Sequence, residues 1–399
     1  MEMGKEYIVL RGCGAISPLG FNEVTTAQSY TSGQPAFKTI LHQNQPTPVA
    51  ALSVDAENTL QQLIKANPAY KNLDRSVHLA IYAARQAAEE AGWLRSDHVL
   101  HDDLGVNIGS SRGAAGLFEQ HFEAFQQNDL SAAASPTTTL GNLSSWVAHA
   151  VNAGGAQISH SITCSTALMA LANGMAWLKA GMATRFLAGG TEAPLTDFTI
   201  AQMKAIGIYS KRDSHTFPCQ PYAVAKQNTF VLGEGAAVFA LELVAETELK
   251  KGDVILEAIG LGFEQIGSKT GISKEGLNFQ KSMRHALSQL SEKDPGIELI
   301  ITHTPGTYAG DSAELAALAA VFGAEAPAIT TNKWLTGHTL GASGGLSVEF
   351  ALHILRHQKF PAPSYPTSIQ ATAPASINRV LVNAAGFGGN AASIVLRQW

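Results

Sequence analysis

The residue pattern predicts an α/β fold made of two similar halves, and three features of the sequence carry that prediction. Apolar runs of strand length alternate with longer stretches in which apolar residues recur every three or four positions, the spacing of one helix face. Many of the 37 glycines flank the strand-like runs, where tight strand-to-helix turns favour a residue without a Cβ. The order of strands and helices repeats in the second half, although the residues themselves show no obvious repeat.

Taken in order, a strand is expected at 7–12, a helix at 74–91 (DRSVHLAIYAARQAAEEA) and a strand at 104–109. A Ser/Thr/Ala-rich loop follows near 131–139, then a short buried strand marked by Ile158, Ser161, Ile162 and Thr163. That strand ends abruptly at Cys164. Ala167, Leu168, Ala170, Leu171, Met175 and Leu178 then recur at helical spacing. A strand at 185–189 and a β pair around 229–242 complete this half. The second half reads as strand 254–262, helix 280–290, strand 299–303, helix 311–321, strand 328–331, helix 341–355 and closing strands 379–384 and 391–396. The halves divide as 1–250 and 251–399 and interlock in one layered body.

Composition narrows the function. A chain of 399 residues that is 45% hydrophobic and 15% charged describes a compact soluble protein. Its net charge of −5, with no Lys/Arg cluster interleaved with aromatics, gives no reason to expect nucleic-acid binding. The N-terminal run MEMGKEYIVLRG lacks the features of a signal peptide, and no uncharged stretch reaches membrane-spanning length. A cytoplasmic protein is expected. Cys13, Cys164 and Cys219 are odd in number and widely spaced, which argues against a disulfide framework.

Cys164 is the first candidate for chemistry. At a helix start it would cap the N-terminus, where unpaired N–H groups and the helix dipole favour a thiolate and lower the thiol pKa. On its own it reads more simply as a small buried cysteine. Three later stretches change that. ELIITHTPGTYAGDSAE delivers His303 at the end of a strand, followed by Thr307 and Asp311 in a turn. TNKWLTGHTLGASGG places Lys333 and His338 five apart before a helix start rich in small residues. NAAGFGGNA puts Gly386, Phe387, Gly388 and Gly389 in a tight loop able to aim a backbone N–H into a pocket.

In this order and near this spacing, Cys164, His303, Thr307, Lys333, His338 and the GFGG turn resemble the β-ketoacyl-acyl carrier protein synthases, condensing enzymes of the thiolase fold. The resemblance covers nearly the whole chain, including GCGAISPLG, LAGGTEA and VLGEGAAVFALE. It implies a thiolase-like fold, two α/β halves in an αβαβα body, and decarboxylative Claisen condensation of an acyl thioester with malonyl carrier protein. Cys164 is implied as nucleophile, His303 and His338 as donors to the enolate oxygen, and the amides of Cys164 and Phe387 as the oxyanion hole. Lys333 orients or tunes His303 and Glu314, with Asp311 as a further supporting residue. Thr307, Phe387 and Gly388 hold substrate. No cofactor and no metal are implied, since substrates ride on the phosphopantetheine of acyl carrier protein. Lys71, Arg75, Lys211 and Arg212 fall near positions that line the carrier entrance in relatives. The expected assembly is a homodimer, or a heterodimer with a chain-length-factor-like subunit. A non-catalytic chain-length partner is the main alternative, against which stands the presence of Cys164.

Several positions depart from the family pattern. His303 lies in HTPGT, where a small Gly-Thr pair usually follows, and Thr163 and Ala167 stand where Ala and Gly are common. Gln220-Pro221-Tyr222-Ala223 loses both charges of an Arg-Pro-Phe-Asp run. Ser347 occupies the place of a glutamate, with Glu349 two residues on. Arg112, in Gly109-Ser110-Ser111-Arg112-Gly113, falls where relatives set an apolar residue against the acyl pocket. It either turns outward or pairs with a carboxylate, or it shortens or polarises the pocket. The changes point to a specialised synthase. Other motifs fail on context: Gly341-Ala342-Ser343-Gly344-Gly345 fits a nucleophile elbow but has no strand before it. Pro18 interrupts any phosphate-binding helix after Gly12-Cys13-Gly14, and His353 with His357 lacks a third ligand nearby.

Overall fold

The computed structural model describes residues 5–94, 99–267, 272–291, 296–323, 326–369 and 373–399, so the first four residues of the N-terminal run lie outside the described residues. In chain order its strands are β1 (Glu6–Ile16), β2 (Lys38–His42), β3 (Gln45–Val49), β4 (Leu104–Gly109), β5 (Gln157–Ile158) and β6 (Arg185–Glu192). They continue with β7 (Gly235–Ala245), β8 (Val254–Phe263), β9 (Leu299–Ile301), β10 (Ala328–Thr330), β11 (Arg379–Gly386) and β12 (Asn390–Gln398).

Apart from the hairpin β2–β3, the strands join in the order β10-β9-β11-β12-β8-β1-β7-β6-β4-β5. Numbering the sheet strands within each half from its own start gives 3-2-4-5-1 from the outer edge inward in both. The two five-stranded units meet through their first strands, at the single pairing of Val9 with Ile255. Shared topology without sequence repetition is the signature of two copies of one architecture.

Two apolar helices, Thr166–Lys179 and Ser343–His357, form the inner layer. The first packs on β4, β6 and β7 of its own half and on β12 of the other, and the second packs on β11 and on β1, β6 and β7. Both bury most of their residues because they are covered on two sides. Helix Arg75–Glu90 covers the outer face of the first half and helix Leu277–Leu287 that of the second. The result is five layers, αβαβα. Gly12 and Gly14 lie within β1, where any Cβ would fall 2.2 Å from the Ala87 carbonyl oxygen and 1.9 Å from that of Ala83. These glycines let strand and helix touch; they cradle no phosphate.

Three expectations need correction. The strand leading into Cys164 is only β5, two residues paired to Val106 and Asn107, because the serines and threonines beyond it bond locally and compete with the ladder. Ser144 donates to the Ile158 carbonyl, and Thr163 and Ser165 both donate to that of Ile162. The pair at 229–242 is one strand, β7, hydrogen-bonded to β1 and β6, while Phe230, Leu232 and Gly233 form isolated bridges. The loop at 131–139 contains a short helix, Ala134–Thr138. Helices Glu23–Ser32, Val54–Ala66, Ala115–Gln126, Asn142–Val151 and Asp197–Ala205 and the β2–β3 hairpin were not anticipated. Helix Ala115–Gln126 buries none of its residues, and helix Glu23–Ser32 is announced by an Asn22 capping box more than by an apolar stripe.

Phe350, fully buried on the second inner helix, stacks 4.6 Å from Tyr30 between ring centroids. Phe350→Ala is expected to cost about 3 to 5 kcal/mol. Urea unfolding checks this, and a loss below about 1 kcal/mol would mean the inner layer is not the principal core.

Candidate active site

The chain enters the first inner helix through a tight turn. Thr163 takes a left-handed φ of 54°, and Cys164 follows immediately, one residue before Ser165 at the N-cap. Cys164 therefore precedes the cap position. It lines a cavity of about 130 Å³ with His303, His338, Phe230, Met203, Leu340 and Phe387. Ser343 of the G-x-S-x-G motif is buried at the start of the second inner helix and lines none of it.

Residues of the second half arrive at the ends of its strands. His303 lies two residues beyond β9, and its backbone N–H donates to Glu314 Oε1 at 3.1 Å. Glu314, fully buried on helix Tyr308–Phe322, also accepts from the Thr304 N–H at 2.9 Å and from Asn383 Nδ2 at 3.0 Å. Asp311 on the same helix accepts from the backbone N–H of Gly306 and of Tyr222. The two carboxylates fix the turn that carries His303 and Thr307. Burial pushes Asp311 up to about 7 and also raises Glu314. Thr307 is the N-cap of that helix, its hydroxyl accepting from the Gly310 N–H at 3.3 Å, and it borders the cavity.

His338 Nδ1 accepts from the Leu340 backbone N–H at 3.0 Å, which fixes the ring proton on Nε2. The His303 and His338 rings lie edge to face with centroids 5.1 Å apart. Burial, with the Lys333 charge adding to it, drives His303 down to about 3 and His338 well below its ordinary value. Both imidazoles are neutral near pH 7.

Lys333 is almost fully buried, and its Nζ donates to Asn332 Oδ1 at 3.1 Å and Ser347 Oγ at 2.9 Å. Among the described residues it has no carboxylate partner; it acts on His303 and Glu314 through space. Burial lowers it to about 8.

The last loop comes against the Cys164 turn. A Cβ on Gly386 would lie 1.7 Å from Thr163 Oγ1 and 2.9 Å from the Cys164 nitrogen, so only glycine lets the last loop touch the nucleophile turn. Gly388 and Gly389 carry φ of 98° and 80° in that loop. Thr163 Oγ1 and Asn390 Nδ2 both donate to the Phe387 carbonyl, and Ser165 Oγ donates to Asn390 Oδ1. Among the described residues, neither the Cys164 nor the Phe387 N–H has a hydrogen-bond acceptor. Such a pair of donors suits a developing oxyanion.

The thiol itself differs from expectation. Burial, reinforced by Glu192 and opposed by Arg112 and Lys333, pushes Cys164 up to about 12, where the helix-start argument pointed downward. Desolvation outweighs the dipole here. Glu192, buried at the end of β6 and raised to about 7 by burial, accepts from Ser110 Oγ and from the N–H of Ser111, Arg112 and Gly341. Arg112 is half-buried and donates through Nη1 to Gln202, not to a carboxylate.

The expected docking cations do not gather in one chain. Lys71 and Arg75 line a separate groove of about 1320 Å³ that shares no lining residue with the Cys164 cavity. Arg75 is ion-paired to Glu57 and Glu234 at 2.7 Å each. Lys211 and Arg212 follow Ile208 of the cavity wall. A further cation, Lys226, lies 5.8 Å from the Tyr308 ring beside Thr307. Glu192, Asn383, Asn390, Gln202 and Lys226 were not foreseen. A lone Glu closing the apolar β6 run was the one legible signal, since a carboxylate there must find donors.

A buried cysteine and two neutral imidazoles lining one cavity of this body fit a condensing enzyme of thiolase-like fold. Residues 5–246 match the N-terminal domain of beta-ketoacyl synthase and residues 255–364 its C-terminal domain. The chain belongs to the β-ketoacyl synthase family and is an acyltransferase-type condensing enzyme. It is 25% identical to the 3-oxoacyl-[acyl-carrier-protein] synthase 2 of Staphylococcus aureus strain N315 over 409 residues, covering 98% of each. With the synthase 2 of Coxiella burnetii it shares 27% over 414 residues, covering 99% of each. A solved type II polyketide-synthase acyl carrier protein in complex with its ketosynthase superposes with TM-score 0.84 at 20% identity, over 99% of this chain and 100% of that one. A ketosynthase in complex with its chain length factor from Xenorhabdus doucetiae gives 0.81 at 22%, over 99% and 98%.

The Lys333 charge is lost as pH rises through about 8. Ser347→Glu gives it a carboxylate and should move the alkaline limb of the condensation-rate profile upward by about one pH unit or more. A limb that stays in place would assign that titration to another group.

Proposed function

We propose that the chain catalyses decarboxylative condensation of an acyl group on Cys164 with malonyl-acyl carrier protein. The carrying observation is that Cys164, His303 and His338 share one small cavity with the Phe387 loop. In loading, Cys164 Sγ forms a bond to the acyl carbon, the bond to the pantetheine sulfur breaks, and the thiol proton ends on the departing pantetheine. The Cys164 and Phe387 amides take the charge of the tetrahedral oxygen, a contribution of about 10² to 10³ in rate per donor. Thr307, at the cavity edge, positions the pantetheine arm.

Malonyl carrier protein then loses carbon dioxide, and the electron pair of the broken carbon–carbon bond passes into an enolate. Neutral N–H groups of His303 and His338 hold its oxygen. A charged imidazolium would bind the malonyl carboxylate and stabilise the ground state, so depressed pKa values serve the step. The enolate carbon attacks the acyl-Cys164 carbonyl, the product gains two carbons, and Cys164 leaves as thiolate and takes up one proton. The reading extends to a specialised fatty-acid, polyene or polyketide pathway in the reducing cytoplasm, with a second subunit as partner. In its support, Phe118, Phe122 and Phe125 form an exposed stripe on helix Ala115–Gln126, the kind of face a partner covers.

Intact-protein mass spectrometry with acyl carrier protein should find one acyl adduct on Cys164, absent in Cys164→Ala. His303→Ala and His338→Ala should still load the acyl group but lose carbon dioxide release by about 10² or more. An undiminished adduct in Cys164→Ala, or normal decarboxylation in both histidine variants, would refute the assignment. Carrier docking is placed on Lys211, Arg212 and Lys226: reversing them to Glu should raise KM for the carrier at low salt with kcat little changed. A KM unaffected by these reversals would move docking to the groove of Lys71 and Arg75.

A further inference from the structure

His338 is held at two levels. Its backbone is fixed by the first half of the chain, the N–H donating to the Val231 carbonyl at 2.7 Å and the carbonyl accepting from the Gly233 N–H at 3.0 Å. Its ring has one hydrogen-bond partner among the described residues, the Leu340 N–H on Nδ1. The proton on Nε2 therefore depends on where Leu340 points that N–H.

Leu340 does so from a left-handed backbone, with φ of 43°. A bulky residue is strained there, and the conformation persists only where its surroundings hold it. The leucine side chain packs in the apolar cluster of Cys164, Ile200 and Met203, and the polar restraint falls on the next residue. The Gly341 N–H donates to Glu192 Oε2 at 2.8 Å.

Glu192 is fully buried at the end of β6 and lines no part of the Cys164 cavity. Its Oε2 also takes the Ser111 N–H at 2.7 Å, and its Oε1 takes the Ser110 hydroxyl at 2.8 Å and the Arg112 N–H at 3.1 Å. Two donors on each oxygen suit the ionised carboxylate and anchor it firmly. A Cβ on Gly341 would fall 2.7 Å from Glu192 Oε2 and 2.5 Å from the Ser111 nitrogen, so glycine is what admits this contact.

We infer that Glu192 is a positioning residue for His338: its carboxylate holds Gly341, Gly341 holds Leu340 in the left-handed region, and the Leu340 N–H keeps the imidazole proton on Nε2. The chain of contacts starts in the first half of the molecule and ends on a ring of the second. It rests on the condensing reading above, in which the His338 N–H serves carbon dioxide release and not acyl loading.

Two variants open the contact from opposite sides. Glu192→Asp keeps the charge but draws the carboxylate back by one methylene, and Gly341→Ala sets a Cβ against it. Glu192→Gln keeps the reach and can still offer its amide oxygen to Gly341. The full chain of each is labelled with nitrogen-15 histidine, with His338→Ala used for assignment. Work at pH 8 lies above the value of about 7 to which burial raises Glu192. Acyl loading of Cys164 is read by intact mass, and carbon dioxide release is measured from malonyl carrier protein. In Glu192→Asp and Gly341→Ala the His338 signal should pass from the Nε2–H form to a mixture of tautomers. Carbon dioxide release should fall at least about ten-fold while loading stays within about two-fold of wild type. Glu192→Gln should keep the Nε2–H form and lose less of the decarboxylation. An unchanged Nε2–H form in both Glu192→Asp and Gly341→Ala overturns the inference, as does an equal fall of loading and carbon dioxide release. A greater loss in Glu192→Gln than in Glu192→Asp also overturns it, since the effect would then belong to the carboxylate charge acting on Cys164. A wild type that neither loads nor releases carbon dioxide overturns the condensing reading alone, because the tautomer shift still tests the clamp.

Discussion

The site depends on two loops, one from each half of the chain, touching with no side chain between them. Gly386 supplies that contact, since any Cβ there would overlap Thr163 and press on the Cys164 amide. Thr163, Ser165 and Asn390 then lock the loops by hydrogen bonds to each other and to the Phe387 carbonyl. Through this contact Cys164 and Phe387, from different halves of the chain, line one cavity. The loops meet where the first inner helix, which follows Cys164, packs on β12 of the other half.

Desolvation governs the electrostatics of the pocket. It raises Cys164, Asp311 and Glu192 and lowers His303, His338 and Lys333, always towards the neutral form. Neutral imidazoles are the useful outcome, because they donate hydrogen bonds without carrying charge. The same environment keeps the Cys164 thiol protonated. Lys333 is a buried cation beside the pocket, and its hydrogen-bond partners Asn332 and Ser347 are neutral. Its charge lowers both histidines further and is itself opposed by Glu314.

Much of this was legible in the sequence. The end-of-strand placement of His303, the His338 stretch and the GFGG turn all mark groups that the fold brings to one cavity, because strand ends and glycine turns are local features. The short β5 was less legible, since Ser161 and Thr163 fit a strand pattern while their hydroxyls bond elsewhere, to the Ser111 and Ile162 carbonyls. Cys164 misled for another reason: helix position is visible in sequence, but burial in an apolar cluster is not. Gln202 and Asn390 escaped because each acts on a residue at least 90 positions away. Lys71 and Arg75 share a basic pattern with Lys211 and Arg212, yet the fold separates them and Arg75 is neutralised by two glutamates.

The central claim is that two neutral imidazoles, with the proton of His338 on Nε2, wait in the cavity as hydrogen-bond donors. Nitrogen-15 NMR of histidine-labelled protein, with His303→Ala and His338→Ala used for assignment, tests it directly. The account predicts that both rings stay neutral from pH 5 to pH 8 and that His338 shows the Nε2–H tautomer throughout. Protonation of either ring within that range, or an Nδ1–H form of His338, would contradict it.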